Sequence, residues 1–551
     1  MTADDEQLLT KISEHSIFEF IMAEAAENTM ILAVDLGTSG CKTAVCSLDG
    51  KVHAWAFQEV DLFLREGHGA EQRPADWWNA LIATSKEAIS KSGISPARIK
   101  AICCSTQGEG TVPVDASGNP LMNAILWMDM RGAAHVNRAV GGPLRVAGYG
   151  PLKLYNWIRL TGGAPALSGK DPFAHMLFIR DEYPEVYERT HKFLNVLDFL
   201  NLRLTGRFVA TYDSILTSWV TDNRNSADIR YHRSLLKASG IDSGKFPEIV
   251  PCTEILGPVL PDVAELMGLS SGTMVVAGAI DNSAAAIGSG AVRDGEAHFY
   301  IGTSSWIAAH MSKKKTDVIS SIASVPCAIP GKYLMTAMQT TAGGNLTFLK
   351  ERVLYHEDEL LREAHAPDVY KILDLIAERT PAGSRGLMYL PWLYGERCPV
   401  EDRSLRAGLI NLSLEHSRED IIRAFLEGVA LNSRWMMSPV ERFLGHSLNS
   451  ITMVGGGAVS NIWCQIFADT LGIPVHQPEG PMETNARGAV WIAGVGLGLM
   501  GYSDISEQIR IQRVYEPVSK HKEVMNESYS RFLELHKKLA PLYKKWNREE
   551  V

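Results

Sequence analysis

Ile31-Leu32-Ala33-Val34-Asp35-Leu36-Gly37-Thr38-Ser39-Gly40 sets an apolar run against one carboxylate and then a turn of small residues. A second apolar run, Cys41 to Leu48, follows and closes on Asp49-Gly50. An Asp-Gly pair between two such runs is a hairpin signal, so the spacing predicts a meander of antiparallel strands with a polar first turn. Residues 74–93 read as a helix, and Ile99 to Ser105 as a short buried strand ending in Gln107-Gly108-Glu109-Gly110.

The same grammar returns in the second half. Ala297 to Ile301 is an apolar run, Gly302-Thr303-Ser304-Ser305 its polar turn, and Trp306 to Met311 continues as strand. A long helix over Arg418 to Leu444 precedes a strand, Ile451 to Val454, which ends in Gly455-Gly456-Gly457 before a helix from Asn461. Two duplicated α/β domains facing one cleft are the simplest explanation of that repetition.

A chain of 551 residues exceeds the size at which one core stops growing, which agrees with two large domains. Hydrophobic content of 46%, charged content of 21% and a net charge of -9 are ordinary globular values, and they invite neither nucleic acid nor an acidic membrane as partner. The eight cysteines form no C-x-x-C pair, so neither a zinc site nor a disulfide framework is expected and a cytoplasmic setting fits. Gly488 to Ser503 is apolar but shorter than the ~20 residues a spanning helix needs, and reads as a buried helix. The acidic opening Met1-Thr2-Ala3-Asp4-Asp5-Glu6 gives no secretory or transit signal. Residues 6–28 read as a lone amphipathic helix ahead of Met30, and the chain past Tyr502 as helical and charged.

Four features could carry chemistry. Asp35 at a strand end can hold Mg²⁺ or its waters, while the amides of Gly37-Thr38-Ser39 can approach a phosphate with no side chain between; an ordinary hairpin turn is the competing reading. Gly302-Thr303-Ser304 repeats those amides, and Gly455-Gly456-Gly457 stands between strand and helix, where a phosphate or a flat ligand is often met. Asp281 ends the strand Met274 to Ile280, where a carboxylate can accept the proton of an attacking hydroxyl or cap the helix that follows. No G-x-G-x-x-G fingerprint follows a strand at these loops, and no G-x-x-x-x-G-K-[ST] loop occurs in the chain.

Taken in order, Asp35-Leu36-Gly37-Thr38-Ser39-Gly40, Ile125-Leu126-Trp127-Met128-Asp129-Met130-Arg131, Asp281-Asn282, Gly302-Thr303-Ser304, Gly395-Glu396-Arg397-Cys398-Pro399 and Gly455-Gly456-Gly457-Ala458-Val459-Ser460-Asn461 resemble the FGGY carbohydrate kinases over about residues 30–500. That resemblance implies two actin-like (ribonuclease H-like) ATPase domains, over 30–290 and 291–510, flanked by a helical extension at 1–29 and a helical tail at 511–551. It implies ATP as co-substrate, Mg²⁺ at Asp35, phosphates along Gly37, Thr38, Ser39, Gly302 and Thr303, further nucleotide contacts at Gly343, Gly456, Gly457 and Asn461, and Asp281 as general base. Gln107, Gly108, Glu109, Asp281 and Asn282 would meet the sugar. The middle of the first domain, Phe193 to Thr221, is implied to be scaffold. A homodimer is the assembly the resemblance allows. Glu71-Gln72, Pro74 and Trp77-Trp78 resemble the xylulose-kinase branch and point to a ketopentose such as xylulose. Gln107-Gly108-Glu109-Gly110 departs from the Met-His of that branch and is similar to erythritol kinases, which keeps a polyol as the alternative; a catalytically silent sugar-binding relative stands behind both.

Overall fold

The computed structural model describes residues 28–354 and 369–547. The helix expected over 6–28 lies outside them, but for its last residue. By their contacts the residues group into two units, one holding the chain up to Gly290 with Val325–Lys332 and Asn485–Gln508, the other holding Ala291–Ser324, Tyr333–Thr484 and the chain from Ile509.

The first unit is built on the predicted meander. β1 (Met30–Leu36), β2 (Gly40–Ser47) and β3 (Val52–Glu59) pair antiparallel in sequence order. Gly50, at φ 80°, makes the β2–β3 turn, a conformation that costs a side-chain-bearing residue more than it costs glycine. Helix α1 (Pro74–Ser92) begins with proline at its first position, ends on left-handed Gly93, and buries Trp77 and Trp78 against the sheet. β4 (Ile99–Thr106) lies parallel to β1, and helix α2 (Val196–Thr205) carries a capping box of Asn195 and Asp198. β5 (Ile255–Pro258) is antiparallel to β6 (Met274–Ile280), which is parallel to β4. The sheet order is β3-β2-β1-β4-β6-β5. β1 and β4 are apolar without alternation because helices cover both faces of a central parallel strand. Helix α3 (Asp281–Gly288) leaves the end of β6.

In the second unit β7 (Ala297–Ile301), β8 (Ser305–Met311) and β9 (Tyr333–Gln339) form the meander, and β10 (Ile451–Val454) is parallel to β7. β11 (Val475–Pro478) is parallel to β10, and β12 (Ile511–Tyr515) closes antiparallel on β11. These six run β9-β8-β7-β10-β11-β12 with the strand directions of the first unit, except that the outermost strand follows its neighbour in the chain here and precedes it there. The duplicated actin-like, ribonuclease H-like fold is thus read directly from the pairings. His298, in the middle of β7, is wholly buried. Helix α4 (Gly343–Phe348) follows β9. Helix α5 (Arg418–Leu444), started by a Ser417–Asp420 capping box and stopped by left-handed Gly445, and helix α6 (Asn461–Leu471) cover the sheet.

Three expectations change. The helix read over Gly488 to Ser503 is α7 (Thr484–Gly496); it starts four residues earlier and stops short because Gly498 takes φ 71° and turns the chain. From Asn485 on, this helix belongs to the first unit, so the boundary expected at 510 does not follow the packing. Gly488 approaches α3 so closely that a Cβ there would stand 2.0 Å from the Ala284 carbonyl oxygen, while Arg487 donates to Gly288 O at 2.9 Å and Trp491 to Leu48 O at 3.0 Å. Finally, the tail at 511–551 is not purely helical. Its first residues are β12, whose Ile511, Arg513 and Tyr515 alternate with Gln512 and Val514 in the period of a strand. Helix α8 (Lys522–Trp546) comes after it and buries Met525 and Phe532.

Candidate active site

β1, β4 and β6 are parallel neighbours, and their C-terminal ends carry the residues that the sequence singled out in the first unit. The register sets Asp35 on β1 and Ala279 on β6 on either side of Ser105. Open α/β sheets offer their ligand sites at such strand ends. Asp35 and Asp281 are partly accessible as residues, yet protein encloses their carboxyl groups.

Burial pushes the Asp35 carboxyl upward; Lys42, its cross-strand partner on β2, and a hydrogen bond from Asn485 Nδ2 at 3.3 Å oppose that rise. Asp281 is the first residue of α3, with Ile280 in the cap position, so it is not itself the helix cap. Its Oδ1 accepts the Asn282 amide at 2.8 Å. Burial pushes the Asp281 carboxyl up to about 7; the Asn282 amide works against this, and the negative charges of Asp35 and Asp213 add to it.

The Gly37–Ser39 turn is held by a closed ring of hydrogen bonds that the sequence did not disclose. Thr38 Oγ1 donates to Gln107 Oε1 at 2.9 Å, Gln107 Nε2 donates to Gln72 Oε1 at 2.9 Å, and Gln72 Nε2 returns to the Thr38 carbonyl at 2.8 Å. Trp77 Nε1 donates to Gln72 Oε1 at 3.0 Å and Trp127 Nε1 to Thr38 Oγ1 at 3.1 Å. Gln107, expected to meet the sugar, is buried, and both ends of its amide are taken up within this ring. Trp127 stands here because Gly69–Gln72 pairs with Ala124–Ile125. Glu71 fixes that junction. Although burial raises its carboxyl, Asn123 and the paired Arg131 and Arg65 hold it below the usual carboxylate value.

Gly108 and Glu109 pass over the end of β6: a Cβ on Gly108 would lie 3.4 Å from Ile280 Cδ1. Glu109 adopts φ 61°, a left-handed backbone that turns the chain between its two glycines. Asp35, Thr38, the Gln107–Gly110 loop and Asp281–Asn282 are therefore gathered at adjoining strand ends of one sheet.

In the second unit the Gly302–Ser304 turn is zipped to the start of α4. Ala342 N and Gly344 N donate to Thr303 O at 2.8 and 3.0 Å, and Gly343 N donates to Gly302 O at 2.9 Å. Glu396 secures this loop from below. It accepts the Thr340 amide at 2.9 Å, the Arg397 amide at 2.8 Å and Asn432 Nδ2, and burial pushes it up to about 7. Gly455, at φ 89°, and Gly457 lie against Ile301, where added Cβ atoms would stand 2.6 Å from its carbonyl oxygen and 2.5 Å from its Cγ2, while Gly456 faces open space. Asn461 opens α6 with its Oδ1 held by Tyr515 Oη at 2.7 Å. Gly302, Thr303, Gly343 and the glycine loop thus meet around the end of β7.

Residues 30–288 match the model of the FGGY family of carbohydrate kinases, N-terminal domain, and residues 297–497 match that of its C-terminal domain. The chain belongs to the FGGY family of carbohydrate kinases. This kinase is 29% identical over 518 residues to a xylulose kinase of Staphylococcus epidermidis, spanning 93% of this chain and 97% of that protein. It is 27% identical over 460 residues to a gluconokinase of Bacillus subtilis, spanning 83% and 86%. A solved xylulose kinase from Rhodospirillum rubrum superposes with a TM-score of 0.76 at 25% identity, covering 93% of this kinase and 99% of that chain. The enzyme is a sugar kinase of the xylulose-kinase-like branch, with ATP as co-substrate.

Among the described residues no group of three or more His, Cys, Asp or Glu is arranged to hold a metal ion. Magnesium in such a kinase would rest on one or two carboxylates and the phosphates. The donor set suits it: beside Asp35, the Asn485 Oδ1 oxygen is buried and has no hydrogen-bond partner. No helix among the described residues is long and apolar enough to cross a membrane, and all eight cysteines are buried and free.

Proposed function

We propose that this kinase transfers the γ-phosphoryl group of ATP to a hydroxyl of a ketopentose such as xylulose, with Asp281 as general base. The observation that carries the reading is Asp281 itself: a carboxylate near pH 7 in strength at the end of β6, beside Asp35 and under the Gln107–Gly110 loop. A base of that strength is about half ionised at neutral pH and still basic enough to take a proton from a hydroxyl as it attacks. Asp35, with the oxygen of Asn485, would hold Mg²⁺, which would neutralise charge on the β- and γ-phosphates. The amides of Gly37, Thr38 and Ser39 in one unit, and Gly302 and Thr303 in the other, suit phosphate oxygens. Gly343, Gly456, Gly457 and Asn461 suit the remainder of the nucleotide. The xylulose kinase relatives and the Glu71-Gln72 junction with Trp77 favour the ketopentose. One observation keeps a polyol such as erythritol or glycerol in view: the left-handed backbone at Glu109 presents an acceptor-only carboxylate in that loop.

A coupled assay of ketopentoses, gluconate and polyols with Mg-ATP tests the reading. Turnover highest with a ketopentose, lowered about 10²-fold or more in Asp281→Asn, is the expected result; highest turnover with gluconate or a polyol overturns the substrate.

A further inference from the structure

The middle of the first unit, expected to be scaffold, holds a buried carboxylate aimed at the catalytic strand end. Asp213 is 2% exposed and follows the strand Val209–Thr211. Its Oδ2 accepts the Ile280 amide at 3.0 Å; its Oδ1 accepts Thr211 Oγ1 at 2.7 Å and the Cys252 thiol at 3.4 Å; and the Ser283 hydroxyl lies near enough to offset part of the rise that burial gives its carboxyl. Ile280 and Ser283 bracket Asp281. One side chain therefore grips the backbone just before Asp281 and faces the first turn of α3 just after it.

The grip is needed because β6 is irregular there. Its register with β4 shifts between Val276 and Ala279, at left-handed Gly278, whose Cβ would stand 2.1 Å from Cys104 O. The extra residue re-aims the side chains beyond it, although Ala279 and Ile280 rejoin the ladder opposite Ser105 and Thr106. Asp213 is itself anchored: Ser214 Oγ donates at 2.7 Å to Asp198 Oδ1, and Thr211 N donates to Ser214 Oγ at 2.9 Å.

A buried carboxyl is a costly way to satisfy an amide that a neutral acceptor would satisfy too, and fixing one arrangement out of several is a use that offsets such a cost in some proteins. We propose that Asp213 is a positioning residue that orients the Asp281 carboxylate toward the sugar hydroxyl, acting through the Ile280 amide and the Ser283 hydroxyl. This rests on the reading of Asp281 as the base.

The test is a double-mutant cycle on the full-length enzyme with the preferred sugar and Mg-ATP. Asp213→Asn keeps the shape and one acceptor; it is expected to lower kcat about tenfold or more while KM for ATP stays within about twofold. In an Asp281→Asn background the same change is expected to cost nothing further, because a base that is gone cannot be misdirected; a merely structural role would cost the same factor in both backgrounds. Ser283→Ala cuts the second arm and is expected to lower kcat about threefold or more, which keeps the test alive where Asp213→Asn does not fold. Wild-type kcat in Asp213→Asn, equal losses in both backgrounds, or wild-type kcat in Ser283→Ala beside a misfolded Asp213→Asn would each overturn the proposal. An active Asp281→Asn enzyme would instead remove the base reading on which the proposal stands.

Discussion

Gly343 gives its amide hydrogen to the Gly302 carbonyl at 2.9 Å, and a Cβ on Gly343 would come within 2.5 Å of that same oxygen. Both glycines are thereby held as one surface. Gly343→Ala is expected to pry the α4 start from the turn and raise KM for ATP about tenfold, equivalent to ~1.4 kcal/mol, with KM for the sugar unchanged. Steady-state kinetics with each substrate varied in turn will decide, and an unchanged KM for ATP would remove Gly343 from the nucleotide site.

Asp281→Asn is expected to lower kcat by roughly 10²- to 10⁴-fold with little change in ATP binding. The wild-type pH profile should carry its mark. The carboxylate is the active form, so kcat/KM should rise with pH and level off above about 7, the strength to which burial and neighbouring charge push this group. An acid limb centred near 4 would show that Asp281 does not govern it.

Asp35→Asn should act on the metal instead. Its expected signature is a magnesium requirement raised about tenfold or more, with turnover partly restored at high Mg²⁺. Titrating Mg²⁺ against both variants separates the roles; an Asp35→Asn curve that overlays wild type would leave the metal without that ligand.

Glu109→Gln preserves shape but exchanges a charged acceptor for a neutral amide, and charge-assisted bonds are about twice as strong as neutral ones. KM for the sugar should rise about tenfold while KM for ATP holds, and Glu109→His should move preference toward ketopentoses over polyols. Unaltered sugar KM in both variants would place Glu109 outside the pocket.

His298 predicts a stability effect. Burial pushes it down to about 3 from an ordinary 6.5, so between those values the unfolded chain binds the proton that the folded chain refuses. Its neutral form favours the fold above pH 6.5, and that contribution is lost as pH falls toward 3. Thermal melts at pH 7.5 and 5 should show a smaller drop for His298→Leu than for wild type; equal drops would contradict it.

The sequence made the strands legible where one local pattern dominates. Asp49-Gly50, the apolar run into Asp35, and the ends of α5 at Arg418 and Leu444 needed no distant partner to be read. The hidden parts are those made by contact alone. Asp213 meets Ile280 across 67 positions and Asn485 meets Asp35 across 450, and no period or motif in either segment announces that meeting. Ile511–Tyr515 was masked differently: five residues of strand alternation sit among charged helix formers, and an edge strand with four of its five residues exposed has little apolar signal to give.

α7 also has a consequence in time. The first unit ends its continuous run at Gly290, but the segment that supplies Asn485 to Asp35, packs Gly488 on Ala284 and buries Trp491 is made only after almost two hundred further residues. During synthesis a nascent chain must therefore wait with the Ala284 surface uncovered and Asp35 short of its partner. The first unit of a chain emerging in order from the ribosome is completed only once Asn485 and the helix after it have been made, and a polypeptide truncated before residue 485 would carry Asp35 and Asp281 without the Asn485 side chain that meets Asp35.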